Sequence, residues 1–175
     1  MKLPNGSVMK ILHVVGTRPN FMKISPIIRE LSKQQEFDSR LIHTGQHYDQ
    51  AMSHMFFREL QIPEPDIFLE VGSDTHARQV ARIMERFDDV CERENPDAVL
   101  VVGDVNSTMT ATLVASKKGI PVVHVEAGIR SNDRTMPEEI NRVVTDALAD
   151  LLLPPSEDAV DNLLSEGHHH DQIHL

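Results

Sequence analysis

"MKILHVVGTRPNFMK", residues 9 to 23, decides the fold. A β-branched apolar run ends at a glycine, and a segment with helical spacing follows, carrying Arg18 and Lys23. That is how a strand-turn-helix unit of an α/β protein begins. Gly16 permits close backbone approach, and Pro19 suits a first helical turn. Pro26 in "KISPII" is awkward inside one continuous helix, so two forms stay open: a kink, or a fresh start at Pro26 capped by Ser25. In both, Lys23 lies close to a helix amino end. Two solvated cations at a helix start would account for Arg18 and Lys23. A phosphate grip, with Arg18 binding in a bidentate way, would account for them as well.

The same rhythm repeats outward along the chain. "SRLIHTG" (39 to 45), "DAVLVVG" (97 to 103), "PVVHVEA" (121 to 127) and "DLLLPP" (150 to 155) are further apolar runs. Helix-period segments fall at 21 to 34, 50 to 60, 75 to 94, 106 to 118, 137 to 149 and 157 to 165, with a weaker strand at Ile67 to Leu69. The alternation predicts an α/β fold: a doubly wound, Rossmann-like parallel sheet with helices on both faces. Residues 1 to 8 read as an extension before a single domain spanning 9 to 175. "HDQIHL" reads as a loop entering another strand, so the chain looks truncated at Leu175.

A formal net charge of −10 argues against nucleic acid as a general partner, since its backbone is held through Lys and Arg. No apolar run approaches the roughly 18 residues of a spanning helix, and "MKLPNGSV" lacks a signal-peptide core, so the sequence reads as cytoplasmic, with no membrane partner. The single cysteine, Cys91, sits among acids in "DDVCERE" and reads as structural.

In an open parallel sheet the ligand crevice lies beyond the carboxyl ends of the strands. Four features occupy such positions: Gly16 to Lys23, Gly45 to His47, Gly103 with Asp104, and Glu126. One strand-helix-strand excursion separates Asp104 from Glu126, so neighbouring strands would turn both carboxylates to one crevice, as an acid/base pair requires. A turn residue and a strand-end charge are the plainer readings. In "MPEEINR", Glu138 and Glu139 suit a first helical turn behind Pro137, and Arg142 can pair with either. The run His168 to His170 reads as a solvated loop and the seven other histidines show no HExxH, HxH or CxxC spacing, so no metal is expected, and His13 and His124 read as hydrogen-bonded core rings.

Taken together and in order, "GTRPNFMK", "HTGQHYD", "VVGDVNST", "HVEAGIRS" and "MPEEINR" closely resemble the amino-terminal half of the non-hydrolysing UDP-N-acetylglucosamine 2-epimerases. The resemblance runs from Met9 to Leu175. It implies one half of a glycosyltransferase-B type two-domain fold, the second domain being absent, and a homodimer in the full-length protein. It implies interconversion of UDP-N-acetylglucosamine and UDP-N-acetylmannosamine for surface polysaccharides without nicotinamide or metal. UDP would be eliminated with loss of the C2 proton, giving 2-acetamidoglucal, and added back after protonation on the other face. Asp104, Glu126 and Glu138 match the family's catalytic carboxylates. Arg18, Lys23 and Arg142 match cleft residues that hold the substrate. Gln46 and His47 match the region where bacterial members hold a second, activating substrate molecule. The half-chain alone is expected to be inactive. A hydrolysing epimerase releasing UDP and free N-acetylmannosamine remains an alternative, as does a non-catalytic sugar-nucleotide-binding module. The proline of Gly-Thr-Arg-Pro at 16 to 19 favours the non-hydrolysing branch.

Overall fold

In a computed structural model, which describes residues 8–46, 57 and 64–175, the strands form one wholly parallel sheet. β1 (Met9–Val15), β2 (Phe37–His43), β3 (Ile67–Phe68), β4 (Ala98–Val102), β5 (Val122–Val125) and β6 (Leu151–Leu153) lie in the order β3-β2-β1-β4-β5-β6. The helices described are α1 (Arg18–Leu31), α2 (His76–Glu94), α3 (Asn106–Lys117), α4 (Pro137–Leu148) and α5 (Glu157–Ser165). The doubly wound reading is therefore met. So is the expected approach to another strand, because Ile173 forms a parallel bridge to Leu152. The helix expected over 50 to 60 lies outside the described residues apart from Phe57, which is helical and packs edge-on against Phe21.

Alternate residues of each strand face opposite layers, and two cores result. Ile11, Val15, Leu41, Leu100 and Val102 pack under Phe21, Ile24 and Ile28 of α1. Leu12, Val14, Ile42, Val99 and Val101 pack against Ile83 and Phe87 of α2 and Ala111 and Ala115 of α3. Both faces are covered, which explains why β4 reads as an unbroken apolar run with every residue buried.

α1 departs from the sequence reading. It begins at Arg18 behind Thr17, earlier than the expected 21, and continues through Pro26 without a second start. Lys23 consequently stands in the second turn, away from the amino end. An internal proline removes one helical hydrogen bond and disfavours a helix by about 3 kcal/mol. The buried row Asn20, Phe21, Ile24 and Ile28, which recurs at helical spacing, offsets this through its contact with the sheet, while Pro26 faces solvent.

His13 lies within β1, wholly buried, with its Nε2 3.1 Å from Ser39 Oγ and its Nδ1 without a partner among the described residues. Burial pushes it down to about 4, against a smaller upward pull from Asp66. Burial also lowers His43 to about 4, where the ring sits between Phe21 and Phe68. Both rings are thus neutral in the fold and take up protons more readily when unfolded. Their contribution to stability is complete above the unfolded value near 6.5 and is lost as pH falls from there towards 4, by up to about 3 kcal/mol for each ring. Thermal unfolding across that window should show a falling midpoint, and His13→Gln should flatten the fall; an identical slope in the variant would refute the assignment.

Candidate functional site

Parallel pairing of β1 with β4 and of β4 with β5 brings the residues that follow Val15, Val102 and Val125 out side by side. The strand order reverses between β1 and β4, where open α/β sheets form their ligand crevice. The sequence placed three of its four candidate loops at these ends. The structure gathers them.

The first loop is fastened by Asn20. Its Oδ1 accepts hydrogen bonds from the N–H groups of Gly16 and Thr17, each at 3.1 Å, and its Nδ2 donates to the Val102 carbonyl at 3.1 Å. The start of α1 is thereby tied to the end of β4. Arg18 occupies the first helical position and is exposed, and Lys23 follows on the next turn.

Lys23 Nζ meets Glu126 Oε2 at 2.5 Å, with side chains 39% and 25% exposed. A pair so open to water contributes little to stability. Its value is in placing charge. Both partners lie against Gly103, where a built Cβ would come within 3.3 Å of Glu126 Oε2 and 3.9 Å of Lys23 Nζ. Glu126 has φ +74°, an unfavourable region for a residue with a side chain, and its N–H donates to the Leu153 carbonyl at 2.9 Å.

The second pair is more enclosed. Arg142 Nη2 meets Asp104 Oδ2 at 2.5 Å, and Arg142 Nη1 meets Glu139 Oε2 at 3.0 Å. The Glu139 carboxylate also accepts the N–H groups of Ser131 and Asn132, each at 2.9 Å. Burial works to raise Glu139, but the Ser131 amide, Arg142 and the Asn132 amide outweigh it and hold the group down to about 2. Arg142 is raised: burial opposes this, and Glu139 and Asp104 prevail. Asn141 Nδ2 donates to the backbone carbonyl of Asp104 at 2.8 Å. Asp104 is therefore fixed at both backbone and side chain. Glu138 is half-buried and has no ion pair or hydrogen bond of its side chain among the described residues.

Gln46 is buried, and its Oε1 accepts from the N–H of Ser107 at 3.2 Å and from Ser107 Oγ at 2.7 Å. Gly16 makes this junction possible, since a Cβ there would stand 2.2 Å from Ser107 Oγ. His47 lies outside the described residues.

Behind these loops is a buried set that the sequence reading did not assemble. His124 Nδ1 is 2.5 Å from Asp146 Oδ1, and Nε2 is 2.8 Å from the Gly103 carbonyl. Asp146 Oδ2 accepts from the N–H of Gly128 at 3.0 Å and from Arg130 Nη2 at 2.7 Å, and Arg130 continues to Glu166. Burial acts to raise Asp146, yet the His124 bond, the Gly128 amide and Arg130 hold it below the usual carboxylate range. Glu139 and Asp146 are seven residues apart on α4, two helical turns, and that spacing was the available signal. Among the described residues no group of three or more His, Cys, Asp or Glu could hold a metal ion, and no helix is long and apolar enough to cross a membrane.

The family model described as UDP-N-acetylglucosamine 2-epimerase matches residues 29–175. A UDP-N-acetylglucosamine 2-epimerase of Methanocaldococcus jannaschii is 48% identical over 165 residues, which cover 94% of this chain and 45% of that protein. A UDP-2,3-diacetamido-2,3-dideoxy-D-glucuronate 2-epimerase of Pseudomonas aeruginosa is 45% identical over 159 residues, covering 91% of this chain and 45% of its own length. The crystal structure of the Methanocaldococcus jannaschii enzyme in complex with UDP-GlcNAc and UDP superposes with a TM-score of 0.92 at 47% identity, over 95% of this chain and 46% of that one. The chain thus spans about half the length of the relatives it matches.

Gly103 and Gly119 have nearly equal φ, +71° and +70°, but only Gly103 has neighbours at its missing Cβ. Gly119→Ala should cost about 1 to 2 kcal/mol from backbone strain alone. Gly103→Ala should cost more in chemical denaturation and should also shift the Lys23 and Glu126 resonances; equal losses would show that Gly103 is not packed on the ion pair.

Proposed function

The chain belongs to the UDP-N-acetylglucosamine 2-epimerase family, and from that premise we propose that it is the amino-terminal half of a non-hydrolysing epimerase acting at C2 of a UDP-linked N-acetylhexosamine. The observation that carries the reading is the paired charge at the switch point: Lys23 with Glu126, and Arg142 with Asp104, each at 2.5 Å. An elimination needs both signs there. Cations receive the departing diphosphate, and carboxylates move the proton.

In the proposed reaction the C1–O bond breaks and its electron pair leaves with UDP, towards Arg18 and Lys23. The C2 proton passes to a carboxylate, and the electrons of the C2–H bond form the C1=C2 bond of 2-acetamidoglucal. Return of a proton to the opposite face of C2 and attack of the UDP oxygen on C1 give the epimer, with no net change in protons. Glu126 and Glu138 are the proton-transfer candidates. Glu126 is paired to Lys23, and Glu138 is not engaged by any described cation. Asp104, locked to Arg142, sets the charge of the site. A second domain would supply the facing wall, and this half alone would turn over little or no substrate.

A second reading of the substrate is favoured by the 45% identity to the Pseudomonas aeruginosa enzyme. There the sugar would be a UDP-linked diacetamido-uronate, with the same chemistry at C2.

The test uses the two-domain protein in deuterated water. Turnover of UDP-N-acetylglucosamine should place solvent deuterium at C2, and Glu126→Gln or Glu138→Gln should lower both turnover and exchange by about 10² to 10⁴. Faster turnover of the diacetamido-uronate would assign the substrate to the second reading. Stoichiometric release of UDP with free N-acetylmannosamine would identify a hydrolysing enzyme. Undiminished exchange in both variants would remove these glutamates from the chemistry.

A further inference from the structure

A neutral imidazole has one donor and one acceptor nitrogen. At His124 both nitrogens face oxygen: Asp146 Oδ1 at 2.5 Å and the Gly103 carbonyl at 2.8 Å. A carbonyl only accepts, so Nε2 must carry a proton. Asp146 already accepts from the Gly128 N–H and pairs with Arg130 through its other oxygen, the surroundings of an ionised carboxylate, so Nδ1 carries a proton too. His124 and Asp146 are both fully buried, and Arg130 nearly so. Two positive groups, His124 and Arg130, face two negative ones, Asp146 and Glu166, and the cluster is neutral.

The position of this ring matters as much as its charge. It lies two residues before Glu126, and the peptide it grips lies immediately before Asp104. Gly103 is held on both sides by β5, since its N–H donates to the Val125 carbonyl at 3.1 Å while its carbonyl accepts from His124. Through Asp146 the same ring reaches Gly128, just beyond Glu126. Gly128 in turn is seated against α5, where its carbonyl accepts from Asn162 Nδ2 at 2.9 Å.

We propose that His124, protonated on both ring nitrogens, is a positioning residue that locks the loop carrying Asp104 to the loop carrying Glu126, with Asp146 and Arg130 as its buried counter-charges. The inference rests on the proposed epimerase only for its consequence in catalysis. The lock itself is a property of this chain.

The first measurement is therefore independent of activity. In the 175-residue chain labelled with ¹⁵N-histidine, one-bond N–H couplings should appear at both nitrogens of His124 at neutral pH. A nitrogen without hydrogen overturns the proposal. In His124→Gln, the amide resonances of Asp104 and of Glu126 to Gly128 should move together; changes confined to β5 would also overturn it. In the two-domain protein, the same substitution should lower kcat about tenfold or more while KM stays within about twofold, the mark of misplaced groups rather than lost binding. A kcat equal to the parent's in a folded variant is decisive against it. Should His124→Gln fail to fold, Asp146→Asn is read in the same way, and the couplings of the unsubstituted chain still decide the charge of the ring. Absence of epimerase activity in the parent, with the couplings and paired shifts present, would overturn the proposed function and leave the lock standing.

Discussion

A charge withdrawn from water must be withdrawn together with its partner, and α4 is built around that constraint. Its buried positions are Glu139, Asn141, Thr145 and Asp146, all polar, while Ile140 and Leu148 are exposed. This inverts the ordinary amphipathic helix. The inversion holds because nearly every buried group is met. Glu139 has two amides and Arg142, Asn141 has the Asp104 carbonyl and Asn106, and Asp146 has His124, Gly128 and Arg130. Only Thr145 Oγ1 lacks a partner among these. Directed bonds, more than apolar area, fix how α4 sits on the sheet, and Asp104 and Glu126 take their places from it.

That constraint also explains what could be read from the sequence. The strands were legible because burial on both faces writes an apolar run into the chain, as in "AVLVV" of β4. The motif-bearing loops were legible because a parallel sheet collects its strand ends on one edge. Pro26 misled, since its local penalty is visible in sequence whereas the burial of Ile24 and Ile28 on either side of it depends on the assembled sheet. The role of Glu139 was hidden for a similar reason. Beside Glu138 in a first helical turn, both acids have the same local explanation, and only the path of the 131 to 132 backbone shows which one turns inward. His124 was foreseen as a hydrogen-bonded core ring, but its two acceptors come from a loop after β4 and from the third turn of α4, and no spacing links them.

The two ion pairs are unlike, and the difference suits the proposed division of labour. Arg142 holds two carboxylates with a rigid planar fork and is 15% exposed, so it has little freedom to leave Asp104. Lys23 is a point charge on a flexible stem, 39% exposed, bonded to a single oxygen of Glu126. An ammonium has three donors and can keep one on Glu126 while giving another to an arriving diphosphate. As charge builds on the leaving oxygen, Lys23 would shift towards it and release Glu126 to take a proton. A guanidinium clamped as Arg142 is could not make that exchange.

Glu126 itself shows how firmly the edge is held. A φ of +74° disfavours the residue by about 1 to 2 kcal/mol, and asparagine or glycine would relieve it. The conformation persists because the backbone around it is bonded at successive residues: Glu126 and Ala127 donate to the Leu153 carbonyl and Gly128 to Asp146. Those bonds end the strand in a turn where a relaxed residue would have continued it. The side chain then meets Lys23 at Gly103, on the crevice side of the edge. Strain at Glu126 and the buried charges behind it are thus two parts of one device, because the lock that fixes Gly128 is also what keeps the strained residue from relaxing.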